Sequence, residues 1–285
     1  MAQNVRAIKS RIGNIEDIAQ ITKAMNAIAM TKVTRLKKRV VTNRPYIEGL
    51  EAFVGRLVGQ LSAEAERPAL LAENGSERVG IVVLNSDRGL CGRYKGDINR
   101  AAQTLWEEAG EDGEILSGGE KARVYFQRRA ITPIHTYAYL YDVPSAEAAA
   151  RIADDATALY NSGQVGRVEM VYMRFESDLT QRMSVESLFP IRVSPATGDA
   201  LIEPDPVVAL ETVLPLYARA KVYAAMLETK TSEEAIRRQA MRNATDNAED
   251  LLKNLTRAYN KARQQAITLE IAEIIGGSEA LRTKG

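Results

Sequence analysis

The residues of this chain that could carry chemistry are few and scattered. Asn85 to Gly92 (NSDRGLCG) follows a short β-branched run and precedes a helical stretch, where a doubly wound fold holds phosphate on backbone N–H groups. Its spacing matches neither G-x-G-x-x-G nor G-x-x-x-x-G-K-S/T, and Asp87 would set a negative charge beside any phosphate, so the segment reads as a structural or docking turn. Cys91 has Arg88 and Arg93 close in sequence, a setting that can activate a thiolate, but the single histidine, His135, lies 44 positions away on an expected strand. One cysteine and one histidine leave no zinc set. Asp154-Asp155 and Glu233-Glu234 are adjacent on expected helices, so their side chains diverge by about 100° and make a poor acid–base couple; both pairs read as solvated faces. Tyr137, Tyr139 and Tyr141 alternate as one face of a strand would, without the glycine and basic residues of an RNA-binding sheet. No catalytic residue, metal ligand or cofactor site is expected.

One charged feature does call for a partner. Lys32 to Arg39 (KVTRLKKR) puts five positive charges on a helix, which suits nucleic acid, anionic lipid or an acidic protein surface. Solvated surfaces usually mix their signs, so a one-sided stretch favours a partner without choosing among these. The net charge of +1 conceals an uneven distribution. Residues 1–60 hold 11 Lys/Arg against 4 Asp/Glu, residues 61–215 hold 15 against 24, and residues 216–285 hold 12 against 9, so the ends are basic and the middle acidic.

The elements that must position these residues follow from periodicity. Apolar side chains recur from Val5 to about Leu57 at helical intervals, with one seven-residue register at Ile8, Ile15, Thr22, Ala29, Leu36 and a second at Ile12, Ala19, Asn26, Val33, Val40. The C-terminal segment has a matching stripe at Val213, Ala220, Leu227, Glu234, Met241, Ala248, Leu255, Ala262 and Leu269. A weaker register runs through Leu216, Tyr223, Lys230, Arg237, Ala244, Leu251 and Ala258. Pro215 is expected to start or kink this helix and Gly276-Gly277 to end or loosen it; about 60 residues at 1.5 Å rise make a rod of roughly 90 Å. Thr22, Asn26 and Glu234 are expensive in a dry seam, so close packing is expected only in parts. The two helices most simply pair antiparallel, with the intervening chain as a separate body.

Between them the period changes. Val79–Leu84, Ile115–Leu116, Ile131–Thr136, Val168–Phe175 and Met183–Ile191 read as strands, alternating with helices near 97–109, 120–129 and 145–160. The last two strands are close enough to form a hairpin, so a mostly parallel sheet with one antiparallel edge is expected. The fold class is thus mixed α+β and α/β: a long antiparallel coiled coil of N- and C-terminal helices with an inserted Rossmann-like α/β domain. The expected parts are 1–60, 75–195 and 206–285. Composition is in the globular range, at 45% hydrophobic and 26% charged, and no run approaches the roughly 20 apolar residues of a membrane span, so the chain reads as soluble. Its opening residues lack a secretory pattern, and a bacterial cytoplasmic product is expected.

Three segments carry a family resemblance. Gln20–Met25 (QITKAM) with Thr31-Lys32 resembles the N-terminal helix of F-type ATP synthase γ subunits, and Ser86–Gly92 (SDRGLCG) resembles their loop after the first strand. ATDNA at 244–248, LTRAYNKARQ at 255–264 and ITLEIAEIIGG at 267–277 resemble the family's C-terminal signature. The departures are Ser278 after Gly277, where the family usually has alanine, and Asn26-Ala27 in place of a more apolar segment. Photosynthetic relatives carry a redox-active cysteine pair in an inserted loop, which a chain with Cys91 alone cannot have.

The resemblance implies a noncatalytic central-stalk rotor, peripheral to the bacterial plasma membrane on its cytoplasmic side, and no cofactor. Its implied partners are three α and three β subunits, the ε subunit and the c-ring. Lys23 and Met25 match a position near the β levers, and Arg263 and Gln264 match positions contacting β higher on the shaft. Lys32, Arg35 and the basic run would face acidic β loops, and Arg88 belongs to the docking turn. The runner-up is a coiled-coil adaptor holding nucleic acid or an anionic membrane on its basic helix.

Overall fold

The computed structural model describes residues 2–62, 64–110, 112–196, 202–203 and 205–282. Helix α1 (Ala2–Gly59) and helix α5 (Pro206–Arg282) come first and last. Between them run a 3-10 turn (Ala69–Leu71), β1 (Val79–Leu84), α2 (Tyr94–Glu108), β2 (Glu114–Gly118), α3 (Glu120–Gln127), β3 (His135–Tyr137), α4 (Ala146–Asn161), β4 (Arg167–Phe175) and β5 (Gln181–Phe189). The chain divides into two compact units, one of Met1–Ile28 with Arg238–Gly285, the other of Ala29–Arg237.

In the first unit the seven-residue stripes mark the inward faces of both helices. Ile8, Ile12, Ile15, Ala19 and Asn26 are half-buried and Thr22 is buried on α1, while Met241 and Ala248 are buried and Leu255 and Ala262 half-buried on α5. The packing is thin. Thr22 avoids the penalty expected of a hydroxyl in a seam, because its Oγ1 donates to Ala19 O and accepts from Thr245 Oγ1 at 2.8 Å. Ile18, Ile21, Ile267, Ile271, Ile274 and Ile275 stay exposed. Helix α5 runs on past Gly276-Gly277, contrary to the expected stop there. Two glycines cost about 2 kcal/mol of helix propensity, which good helix formers on either side can offset.

The second unit holds a five-stranded sheet in the order β3-β2-β1-β4-β5. β1 pairs parallel with β2 and β4, β2 pairs parallel with β3, and β4 and β5 form the antiparallel edge. Burial of β1 on both faces explains its uninterrupted apolar sequence. Val79, Ile81 and Val83 join Ile98, Ala102 and Phe126 under α2 and α3. Val82 and Leu84 face the other way, into a core built from α4, the end of α1 and the first turns of α5, including Ile152, Val54, Leu57, Leu214 and Val222. Ser145 caps α4 by accepting from Ala148 N–H.

Within this unit α1 and α5 run antiparallel, since Lys32 reaches Glu234 while Arg39 reaches Tyr223. Helix α5 begins at Pro206, not at Pro215: the Asp205 carboxylate accepts from Val207 N–H at 2.7 Å and Pro206 takes the first helical position, where its missing N–H costs nothing. The third strand is shorter than Ile131–Thr136. Pro133 has no N–H to give a ladder, and pairing is confined to His135–Tyr137. Tyr137 alone of the three alternating tyrosines lies in a strand; Tyr139 turns away with a positive φ of 60°.

The close approach of two loops fixes the end of the sheet. Gly119 has a φ of +86°, and a Cβ there would run into Asn85 O. Gly119→Ala is therefore expected to destabilise the chain by about 2–4 kcal/mol, from backbone strain plus displacement of the loop. Urea denaturation of the full-length protein measures this; an unchanged midpoint would remove that contact as a constraint.

Candidate functional site

The doubly wound sheet reverses its strand order beside β1, which has β2 on one side and β4 on the other. In such folds the crevice beyond the carboxyl ends of these strands is the ligand position. Here α5 lies in it. Thr229 Oγ1 donates to Leu84 O at 3.2 Å, accepts from Met173 N–H at 3.2 Å and lies 2.7 Å from Tyr94 Oη. Ser232 Oγ donates to Met173 O at 3.1 Å one turn later. Two helical hydroxyls thus bond the backbone ends of β1 and β4. Burial, with Glu233 nearby, pushes the Tyr94 phenol well up, so it stays a neutral hydrogen-bonding group.

The loop after β1 is equally occupied. Asn85 Nδ2 donates to Lys95 O and to Asn99 Oδ1, and Asn85 Oδ1 accepts from Ser86 N–H. Asp87 Oδ1 accepts from Glu120 N–H at 2.9 Å and from Tyr139 N–H at 2.8 Å. The carboxylate therefore holds the amide at the start of α3 that a phosphate would otherwise take. Cys91 is buried, with Ser86 Oγ and Arg88 O each at 3.9 Å, and burial followed by Glu233 raises its thiol. His135, on β3, lies 3.9 Å from Asp155 and stacks on Tyr137. Neither residue has the partners of a nucleophile.

Glu233 and Glu234 overturn the reading of a solvated pair: both are 1% exposed. They form a lattice with the cations of their own helix. Lys230 Nζ lies 3.0 Å from Glu233 and 3.9 Å from Glu234, and Arg237 bonds Glu233 and lies 2.8 Å from Glu234. The lattice extends to other segments. Lys230 donates to Asp142 at 2.8 Å, Lys32 of α1 reaches Glu234 at 3.3 Å, Arg88 pairs with Asp142 at 3.3 Å, and Arg237 donates to Gly89 O at 3.4 Å. Burial alone would lower the Lys230 ammonium, but Glu233 and Asp142 outweigh it and hold the group above its usual value. The hydrogen bond from Lys230 holds the Asp142 carboxyl below its own. Asp154 behaves as expected, exposed and bonded by Arg219 at 2.8 and 3.0 Å.

The candidate contact residues occupy separate places. In the first unit Lys23, Arg263 and Gln264 are exposed and Met25 is half-buried. In the second, Lys32 and Arg88 belong to the ion lattice and Arg35 is exposed. The basic run does not present all its charges outward: Lys37 pairs with Asp178, and Arg39 donates to Pro144 O and Tyr223 Oη. Thr229, Lys230 and Arg237 have no counterpart among the sequence candidates. Their signal was present as polar residues at or beside seam positions, where charge is tolerated only if paired. Among the described residues no group of His, Cys, Asp and Glu is arranged to hold a metal, and no helix is long and apolar enough to cross a membrane.

The hydroxyl at 229 serves two strands and a phenol together, so Thr229→Val leaves Leu84 O and Met173 N–H without it. A loss of about 1–3 kcal/mol is expected. Thr256→Val, removing an exposed hydroxyl that bonds only within its helix to Leu252 O, serves as the control and should move the urea midpoint far less. Equal shifts would contradict the role given to Thr229.

The chain matches a family model described as ATP synthase over residues 4–281. It is 38% identical to the ATP synthase gamma chain of Symbiobacterium thermophilum, the match covering 99% of this chain and 100% of that one. The gamma chain of Moorella thermoacetica is 36% identical, with 98% and 99% covered. Among solved structures, a chain of the Euglena gracilis mitochondrial ATP synthase (OSCP/F1/c-ring) has a TM-score of 0.67 at 20% identity, covering 99% of this chain and 95% of that chain. A chain of the Tetrahymena thermophila mitochondrial ATP synthase central stalk and c-ring has a TM-score of 0.61 at 21% identity, covering 79% and 99%.

Proposed function

The chain belongs to the ATP synthase gamma-chain family, and from that premise we propose that it is the central-stalk rotor subunit of an F-type ATP synthase. It carries torque between an ion-driven c-ring and a catalytic head of three α and three β subunits, in either direction of turnover. The observation that carries this reading is likeness to gamma chains along almost the whole sequence, long terminal helices included. A rotor of this kind does its work by biasing conformations. An asymmetric shaft makes different contacts with each β site, and those differences shift the affinities for ADP, phosphate and ATP.

The chain contributes no catalytic group in this reading. The crevice of its sheet is filled by Thr229 and Ser232, which supports a mechanical role over nucleotide chemistry on the subunit. The coupling residues are Lys23, Met25, Arg263 and Gln264 in the first unit, with Lys32 and Arg35 on α1 and Arg88 in the loop after β1 in the second. Lys32 and Arg88 would act through the lattice they anchor, whereas Arg35 is exposed and can meet an acidic surface directly. The ε subunit and the c-ring meet the sheet-bearing part, which holds the subunit at the cytoplasmic side of a bacterial plasma membrane. An adaptor using the basic helix for nucleic acid or lipid finds less support, because Lys32, Lys37 and Arg39 are engaged within the chain.

Co-purification tests the assignment: this chain should appear at one copy with three α and three β. Arg263→Ala combined with Gln264→Ala should lower coupled ATP synthesis by about tenfold, equivalent to ~1.4 kcal/mol. It should move thermal stability little, since both side chains are exposed. A complex that assembled normally and made ATP at the parent rate would remove these two residues from the coupling set. A disulfide engineered between the shaft and β should stop turnover until it is reduced; undiminished turnover in the cross-linked state would end the rotor reading.

A further inference from the structure

Seven charges meet where α5 crosses the sheet-bearing body: Lys32, Arg88, Lys230 and Arg237 against Asp142, Glu233 and Glu234. The four at its centre, Lys230 and Arg237 against Glu233 and Glu234, are balanced and dry. The side chains of Glu233 and Glu234 are 2% exposed and that of Lys230 is 4%. Stability alone does not account for it, since well-packed apolar residues at such positions are as favourable or more so. Charge-assisted hydrogen bonds supply direction, which apolar contact does not. Turning α5 by one residue, about 100° about its axis, would take Lys230 away from Asp142 and point Arg237 away from Gly89 O.

The lattice also joins segments that backbone hydrogen bonding leaves separate. Lys32 brings in α1, Asp142 the segment after β3, and Gly89 O the loop after β1. In the same turns of α5, Thr229 and Ser232 bond the ends of β1 and β4. The helix is thereby held against both rotation and sliding over one short stretch.

We propose that Lys230, Glu233, Glu234 and Arg237 form a charge-balanced latch that locks the sheet-bearing body to α5, so that turning force applied to the body passes into the helix without slip. The torque function assigned to the latch rests on the rotor reading above. Lys230 is its positioning residue, because it alone joins Asp142 to both glutamates.

The test compares the full-length chain with Lys230→Met and with Lys230→Met/Glu234→Gln, each assembled with three α and three β subunits. Among the four latch residues the single change leaves two anions facing one cation, and the double change restores equality. Hydrogen–deuterium exchange over residues 84–92 and 229–237 reads the latch, and stall torque on a bead tethered to a cysteine introduced at the exposed Glu107 reads transmission. Lys230→Met should raise exchange in the latch on the order of a hundredfold and lower stall torque while unloaded ATP hydrolysis continues. The double variant should return exchange to within about tenfold of the parent and recover torque. Parent-like exchange in Lys230→Met, a double variant no better than the single one, or undiminished torque despite raised exchange would each overturn the proposal. Should Lys230→Met fail to assemble, the double variant decides, since charge balance predicts that it assembles. Failure of the parent complex to turn the bead would instead count against the rotor reading, and the exchange comparison would still judge the latch.

Discussion

Two strands of the sheet meet one hydroxyl. The carbonyl of Leu84 and the amide of Met173 both need a partner where β1 runs out beside β4, and Thr229 supplies both bonds from a helix more than fifty residues further along the chain. Backbone polar groups buried without partners are among the most costly defects a fold can carry. The sheet-bearing body therefore has α5 as part of its own structure, and an arrangement that places the helix elsewhere must find new partners for these groups. The buried glutamates impose a second condition of the same sort. Glu233 and Glu234 are tolerable only where Lys230, Arg237 and Lys32 surround them, so the rotational setting of α5 and its register against α1 are fixed by charge as well as by shape.

A doubly wound sheet ordinarily leaves the crevice at its switch point to a ligand. In this chain the same geometry is used inwardly. Asp87 takes the amide at the head of α3, and Thr229 and Ser232 take the strand ends. A binding fold has become a mount for a helix. The fold by itself thus gives no licence to infer nucleotide chemistry, because function resides in what fills the site.

Much of the architecture was legible in the sequence. The seven-residue stripes named the inward faces of α1 and α5, from Ile8 to Val40 and from Leu227 to Ala262, because a strict repeat can come only from a helix packing along one side. The all-apolar VGIVVL announced a strand covered on both faces. What periodicity could not reveal was long-range polar pairing. Glu233-Glu234 looked like any solvated acidic step, since the lysine, arginine and aspartate that bury it come from α1 and from the segment after β3 as well as from its own helix. Local punctuation misled for a related reason. Pro215 and Gly276-Gly277 are weak helix signals that neighbouring residues outweigh, and the Asp205-Pro206 cap sets the start of α5. Of the proposed contact residues, family resemblance alone drew attention to Arg263 and Gln264, because an exposed side chain leaves no mark in periodicity.

The thin seam at the first unit bears on how such a subunit comes into being. Thr22, Met241 and Ala248 are its buried residues among those described, while isoleucines line the outside of both helices. A pair of helices with so little interior of its own is stabilised by any partner that binds only its folded form, and its free energy of folding then depends on that partner's concentration. In the rotor proposed above, ordering of this region and its enclosure by the head would then be a single event.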